Sequence, residues 1–276
     1  MAASETNRRG PAVLRGLSGR IFQAWMGLSA LLVLAFIALP LATMLTAPTW
    51  ETLRKTLADA EVLASVWRSM YTAGIAAGIA FVFGTPLAYL LARHGFPGKK
   101  LVESLVDLPI MIPHPVVGIA LLSLTSPLTP FGRLLQSLGI EFMGTSTGIV
   151  TVLVFVGMPF YINAAKSGIE AIPPRLEKVS RSLGASAAST FFRITLPLCW
   201  RYMLVGVIMC MARAISEFGA IIIVAYHPMI APVLMYERFT AFGLKYSQPV
   251  AVILILVSML FFLLLRTLSL PRENNE

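Results

Sequence analysis

Ile21-Phe-Gln-Ala-Trp-Met-Gly-Leu-Ser-Ala-Leu-Leu-Val-Leu-Ala-Phe-Ile-Ala-Leu-Pro-Leu-Ala-Thr-Met-Leu-Thr-Ala47 runs for 27 residues without an ionisable side chain. A hydrocarbon core about 30 Å thick needs roughly 20 apolar residues in helix, so this stretch is long enough to cross a bilayer. It exceeds the roughly 7–15-residue apolar region of a signal peptide, and no clear small-residue cleavage site follows. It therefore reads as a retained span. Outward from it the pattern recurs at residues 69–92, 105–124, 148–165, 203–225 and 249–265, giving six spans. Of the 276 residues, 57% are hydrophobic and 13% charged, with a mean hydropathy of +0.79. A soluble domain carries about 25% charged residues, and a chain this size cannot cover itself with half that share. The expected class is an all-α membrane protein.

The net charge is +9, from 22 Lys and Arg against 13 Asp and Glu. In a soluble chain that excess suggests nucleic acid; here its distribution points to topology. With six crossings, one side holds Arg8, Arg9, Arg15 and Arg20, then Arg93, Lys99 and Lys100. The same side holds Lys166, Arg175, Lys178, Arg181, Arg193 and Arg201, then Arg266 and Arg272. The other side holds Arg54, Lys55, Arg68, Arg133, Arg238 and Lys245. Basic loops favour the cytoplasm, so both termini are expected there, with residues 1–20 a basic arm and 269–276 a tail. No nucleic-acid partner is expected.

The spans are not uniform. Thr72-Ala-Gly-Ile-Ala-Ala-Gly78 sets Gly74 and Gly78 on one face, which suits close helix packing within the chain better than a dimer seam. Asp107-Leu-Pro-Ile-Met-Ile-Pro-His-Pro-Val-Val-Gly118 carries three prolines, each lacking a donor and disfavouring helix in the residue before it. Broken backbone at membrane depth is tolerated when buried in protein or lining a wet cavity. The segment around Pro113 and His114 is thus either a pathway wall or a kinked structural helix. Arg213 and Glu217, at i, i+4 within the fifth span, can neutralise each other. Intramembrane charges face a bundle interior or a wet cavity. The pair either fixes packing or marks a pathway or gate beside Ser216, where Arg213 could meet an anion.

Sites for chemistry are otherwise missing. There is no Gly-x-x-x-x-Gly-Lys-Ser/Thr loop; Gly95-Phe-Pro-Gly-Lys-Lys100 lacks both the spacing and the hydroxyl. His94, His114 and His227 are isolated in sequence, and no cluster has metal-ligand spacing. Cys199 and Cys210, eleven residues apart, are too far along one helix to bridge and read as packing residues.

The remaining informative stretch is Glu170-Ala-Ile-Pro-Pro-Arg-Leu-Glu-Lys-Val-Ser-Arg-Ser-Leu-Gly-Ala185, continuing to Ile194-Thr-Leu-Pro197. Pro174 suits a first helical turn. Leu176, Val179 and Leu183 share one face, with Arg175, Lys178, Arg181 and Ser182 largely elsewhere. Gly184 supplies a left-handed stop. A second short segment, anchored by Phe191 and Phe192, runs to Pro197 before the fifth span. Such an amphipathic helix can lie on lipid or dock into another protein.

Leu183-Gly-Ala185 followed, ten residues after Gly184, by Ile194-x-Leu-Pro197 resembles the cytoplasmic loop signature of ABC importer permeases. That consensus begins Glu-Ala-Ala six residues before the glycine; here Lys178-Val179-Ser180 stand there, with Glu177 one place earlier. The resemblance extends over residues 60–268. Gly84-Thr-Pro-Leu-Ala-Tyr-Leu-Leu-Ala-Arg93, residues 108–122 and Ala212-Arg-Ala-Ile-Ser-Glu-Phe-Gly-Ala220 are similar to the molybdate, tungstate and sulfate group. Pro228-Met-Ile-Ala-Pro-Val-Leu-Met-Tyr-Glu-Arg-Phe239 is similar to its tungstate/molybdate branch.

The resemblance implies a six-helix type I importer permease in the cytoplasmic membrane. It implies a second copy of the chain, ABC ATPase subunits that bind ATP and magnesium, and an extracytoplasmic oxyanion-binding protein as partners. The chain itself would bind no cofactor and catalyse no reaction. Loop 170–198 would couple to the ATPase, with Leu176, Val179 and Leu183 as an apolar plug and Arg175, Glu177, Lys178 and Arg181 as its polar rim. Ser180, Gly184, Ala185, Ile194 and Pro197 belong to the same loop signature. The cargo would be tungstate or molybdate, with sulfate as the alternative. A membrane enzyme is a second class; it needs Asp107, His114 and Glu217, from separate spans, to be brought together by folding. A membrane-anchored nucleic-acid or scaffold protein, using the basic loops directly, is a third.

Overall fold

The computed structural model describes residues 12–269, and every regular element among them is helical. The chain forms two compact units, residues 1–50 and 51–276. Arg8, Arg9 and Arg272, with the tail after residue 269, lie outside the described residues. The first unit contains α1 (Ala12–Thr46), a helix of 35 residues that includes Pro40. It begins nine residues before the apolar run, because no proline between 12 and 39 interrupts the helical repeat. Its part Phe22–Thr46 is long and apolar enough to span a membrane.

The second unit follows with α2 (Trp50–Leu57), α3 (Ala60–Arg93), α4 (Lys99–Met111), α5 (His114–Thr125), α6 (Pro130–Ser137) and α7 (Ser146–Glu170). Then come α8 (Pro174–Ser182), α9 (Ala187–Thr190), a π-helical turn (Phe191–Thr195), α10 (Leu196–Ile215), α11 (Ile221–Val224), α12 (Ala231–Phe242) and α13 (Leu244–Ser269). Helix α3, α7, the continuous stretch Ala187–Ile215 and Leu244–Thr267 are each long and apolar enough to cross a membrane. With Phe22–Thr46 that makes five, and α4 with α5, bent by 113°, makes a sixth if taken as one broken span.

The core of the second unit is α3, α7 and α10. Helices α3 and α7 run parallel. The Tyr71 hydroxyl lies 3.2 Å from Ser146 Oγ near their starts, and Arg93 Nη2 donates to the Ile172 carbonyl at 3.0 Å just past the end of α7. Helix α10 runs the other way, with Gly206 against Tyr161 and Tyr202 against Gly168. In α3 the buried stripe is Ala73, Ala76, Ala77 and Ala80, spaced for one helical face. Such small residues let helix backbones approach closely where apolar area alone drives nothing together. A Cβ on Gly168 would lie 2.3 Å from Tyr202 Cβ, so only glycine fits there. The expectation for Gly74 and Gly78 is overturned. A Cβ on Gly74 would reach only Met211 Cε, at 4.0 Å, and one on Gly78 would meet nothing within 4 Å among the described residues, because the alanine stripe, not the glycines, faces the core.

Two spans differ from their expected form. The third breaks only at Pro113, where Ile112 is extended (φ −74°, ψ 134°). Pro109 sits inside α4 and Pro115 falls in the first turn of α5, where its missing N–H is not needed. The fifth was expected at 203–225, yet its helix starts at Ala187 and ends at Ile215. The π turn accounts for the early start: the Leu196 amide reaches back five residues to the Phe191 carbonyl, so the helix continues past Pro197 without a separate segment. Cys199 and Cys210 are free and buried.

Polar contacts tie the elements at both ends. Asn163 Nδ2 donates to Asp107 Oδ1 at 2.7 Å and Lys166 pairs with Glu103, fixing α4 along α7. At the far end of α3, Asp59 caps the helix by accepting the Glu61 amide and pairs with Arg238 of α12 at 2.7 Å. The hydrogen bond from Arg238 holds the Asp59 carboxyl below the usual aspartate value, against the opposing effect of burial.

Candidate functional site

Two places combine the residues singled out in the sequence. The first is α8. Its nine residues are too few to hold a helix alone, so the contacts around it matter. Pro174 opens it. At its end, the Gly184 amide donates to the Arg181 carbonyl at 3.0 Å and the Ala185 amide to the Ser180 carbonyl at 3.2 Å. With Gly184 at φ +91°, this is a complete Schellman stop, which a residue bearing Cβ adopts only under strain. Ser180 Oγ lies 3.0 Å from Thr190 Oγ1, closing α8 onto α9.

Leu176, Val179 and Leu183 are 44%, 51% and 83% exposed, an apolar face that the described residues leave largely open. Arg175, Lys178 and Arg181 are exposed beside it. Glu177 is not part of that rim, contrary to expectation. Its carboxylate is buried because three donors converge on it: Arg93 Nε at 3.0 Å, Thr195 Oγ1 at 2.9 Å and the Tyr89 hydroxyl at 3.2 Å. Helix α8 is thereby pinned to the end of α3 and to the π turn. From the sequence Arg93 counted only as a basic loop residue, and Tyr89 and Thr195 only as members of the motifs at 84–93 and 194–197; none was expected at Glu177. The signal available was that Tyr89 and Arg93 stand one helical turn apart at the end of an apolar run. Phe191 packs edge-on against Tyr89 at 5.4 Å, whereas Phe192 is 64% exposed. Ile194 is half-buried in the π turn and Pro197 exposed in the first turn of α10.

The second place lies where the two broken spans meet. The apolar run 203–225 fails as one helix because α10 stops at Ile215. Glu217, expected one regular turn after Arg213, lies just past that end. Its Oε1 accepts the Ala220 amide at 2.9 Å and its Oε2 accepts Arg213 Nη2 at 2.6 Å. Arg213 Nη2 also lies 2.9 Å from both ring nitrogens of His114, and His114 Nδ1 is 3.6 Å from Glu217 Oε2. Ser216 Oγ donates to the Arg213 carbonyl at 3.0 Å and sits 3.5 Å from Nη1. The approach is close: Gly219 faces His114 Cβ, and Gly118 faces the Ala220 carbonyl. Folding therefore joins His114, Arg213, Ser216 and Glu217, with exposed Pro113 at the adjoining bend. Asp107 is not among them, being engaged by Asn163.

The Glu217 side chain is 1% exposed, that of Arg213 17% and that of His114 43%. The cluster thus grades from a sealed carboxylate to an open imidazole. It holds one fixed cation and one fixed anion, which can meet a charged solute without presenting a large net charge. A neighbouring cavity of about 590 Å³ between α10, α12 and α13 shares Ser216 with the cluster and is otherwise lined by apolar side chains and Ser258. Beyond Ser216 it offers an anion no charged partner.

The third apolar span is thus broken at Pro113, and the fifth helix ends at Ile215, ahead of the end of its apolar run. The chain belongs to the family of binding-protein-dependent transport system inner membrane components, which it matches over residues 84–272. It is 44% identical over 247 residues to the molybdate/tungstate transport system permease protein WtpB of Pyrococcus furiosus, covering 89% of this chain and 94% of that protein. To the protein of the same name in Thermococcus kodakarensis it is 45% identical over 244 residues, or 88% of this chain and 93% of that one. The fold matches a crystal structure of a bacterial ABC transporter involved in the import of the acidic polysaccharide alginate. There the TM-score is 0.74 at 17% identity, over 96% of this chain and 100% of that one.

Proposed function

We propose that this chain is the membrane subunit of an ATP-driven importer for tungstate or molybdate, working as a pair of copies with two ATPase subunits and an extracytoplasmic binding protein. The observation that carries the cargo is the 44% identity, over nearly full length, with a molybdate/tungstate permease. The basic loops support an orientation with both termini in the cytoplasm. The face of Leu176, Val179 and Leu183 is the contact for the ATPase, with Arg175, Lys178 and Arg181 around it. ATP and magnesium belong to that partner. Closure of the ATPase pair moves the two α8 helices together and shifts the spans between inward-open and outward-open states, an equilibrium biased by ligand. The cluster of His114, Arg213, Ser216 and Glu217 lines the passage at its gate. Membrane lipid surrounds the remaining apolar faces.

The test is reconstitution with the cognate ATPase and binding protein, followed by ATP-dependent uptake of labelled tungstate in competition with molybdate and sulfate. Strong competition by molybdate and weak competition by sulfate is the expected result. Preferential uptake of sulfate would move the chain to the sulfate importers, and ATP-independent turnover by the isolated chain would overturn the reading.

A further inference from the structure

The Arg213–Glu217 pair has an asymmetry that the gate role alone does not require. Glu217 is immobile: its side chain is 1% exposed, and one oxygen is tied to the Ala220 amide in its own backbone turn. Arg213 is the adjustable partner. A guanidinium offers five N–H donors in a rigid fork; here Nη2 serves Glu217 and His114, while among the described residues Nη1 is met by Ser216 Oγ alone, at 3.5 Å. One prong of the fork therefore points beside an exposed hydroxyl with most of its donor capacity unspent, while the other is held by a carboxylate that cannot move away.

Resting on the oxyanion reading above, we propose that Glu217 is a resident counter-anion that keeps Arg213 from binding the cargo tightly. A tetrahedral dianion reaching Nη1 and Ser216 meets a cation already neutralised by a carboxylate within the same fork. Attraction to the guanidinium and repulsion from Glu217 then largely offset each other, and the contact is brief. Conduction needs binding that is favourable enough to enter and weak enough to leave. A lone arginine would fail the second condition, since charge-assisted pairing with a dianion is strong and directional away from bulk water. The buried carboxylate supplies the correction without closing the passage.

The prediction is a gain of binding with a loss of transport. In nanodiscs holding the permease–ATPase complex without its binding protein, equilibrium dialysis with labelled tungstate, molybdate or sulfate should show negligible retention by the wild type. Glu217→Gln should raise retention at least tenfold and cut uptake in the complete system at least tenfold. Arg213→Gln/Glu217→Gln, neutral again, should lose the retention. An assembled Glu217→Gln complex that retains no oxyanion overturns the proposal, as does retention that persists in the double variant. Where Glu217→Gln does not co-purify with the ATPase, the same dialysis on the variant permease alone in nanodiscs reads the claim, and retention no higher than that of the wild-type permease alone refutes it. Failure of the wild-type system to import any of the three anions would instead sink the oxyanion reading itself.

Discussion

Replacing Glu177 by alanine should release α8 while leaving the bundle intact. The carboxylate is the common acceptor for Arg93, Thr195 and Tyr89. The side chains of Arg93 and Glu177 are 8% and 11% exposed. Removing one partner of a buried pair costs about 3–5 kcal/mol, because the other charge is left without compensation. Arg93 keeps the Ile172 carbonyl, so the lower end applies, about 3 kcal/mol. At about 1.4 kcal/mol per tenfold, local opening of α8 becomes roughly a hundredfold more populated. Nine residues closed at one end by Gly184 cannot resist this alone. Hydrogen–deuterium exchange in nanodiscs reads it directly: amides of residues 177–183 should exchange about a hundredfold faster, with those of α3 and α7 unchanged. Arg93→Met with Glu177→Leu, which removes both charges and keeps the volume, should recover most of the protection. Exchange at the wild-type rate in α8, or equal acceleration throughout α3 and α7, would refute the anchoring role.

Gly184→Ala should cost about 1–2 kcal/mol, since φ is +91° there. Gly184→Pro should be worse because it also removes the amide donated to Arg181, and loss of ATPase co-purification measures both. Leu183→Asp places a charge on the 83% exposed apolar position and should abolish ATPase association without lowering thermal stability. Gly168→Ala puts a Cβ 2.3 Å from Tyr202 Cβ and should destabilise by about 1–3 kcal/mol through overpacking, seen as a lower Tm. Asp59→Asn keeps the cap on Glu61 but loses the charge opposite Arg238. Because the folded pKa of Asp59 is lowered, the wild-type advantage should be complete above about pH 4, the ordinary aspartate value. It should vanish as pH falls through the lowered folded value, and thermal melts of both proteins across pH 2–7 check the sign.

The apolar runs made the spans legible, because length and absence of charge are sufficient evidence for helix in lipid. Pro113 and Gly184 were legible too, since proline disfavours helix in the residue before it and glycine accepts the left-handed stop without strain. What escaped depends on partners distant in sequence. Glu177 sits between Leu176 and Lys178 in a helix with an exposed apolar face, so it reads as surface; Arg93, 84 residues earlier, makes it buried. The end of α10 was hidden because residues 203–225 stay apolar enough for one helix. The interruption comes from a side chain, Glu217 capturing the Ala220 amide, together with the close seating of Gly118 and Gly219 on neighbouring backbone. Gly74 and Gly78 misled for the opposite reason: spacing alone does not say which face of α3 meets α7.

The three attachments of α8 have a mechanical consequence. It is joined to α7 by residues 171–173, to the helix Ala187–Ile215 by residues 183–186 and the Ser180–Thr190 contact, and to α3 by the Arg93–Glu177 pair. A push on α8 is therefore delivered to α3, α7 and α10 together. The joints are elsewhere, at Ile112–Pro113 and across residues 216–220. The 29-residue helix Ala187–Ile215, about 43 Å long at 1.5 Å per residue, runs from the α8 end of the bundle to the second of these joints. Its far end carries Arg213, so force applied at the α8 surface arrives where one guanidinium is shared between a carboxylate and an imidazole.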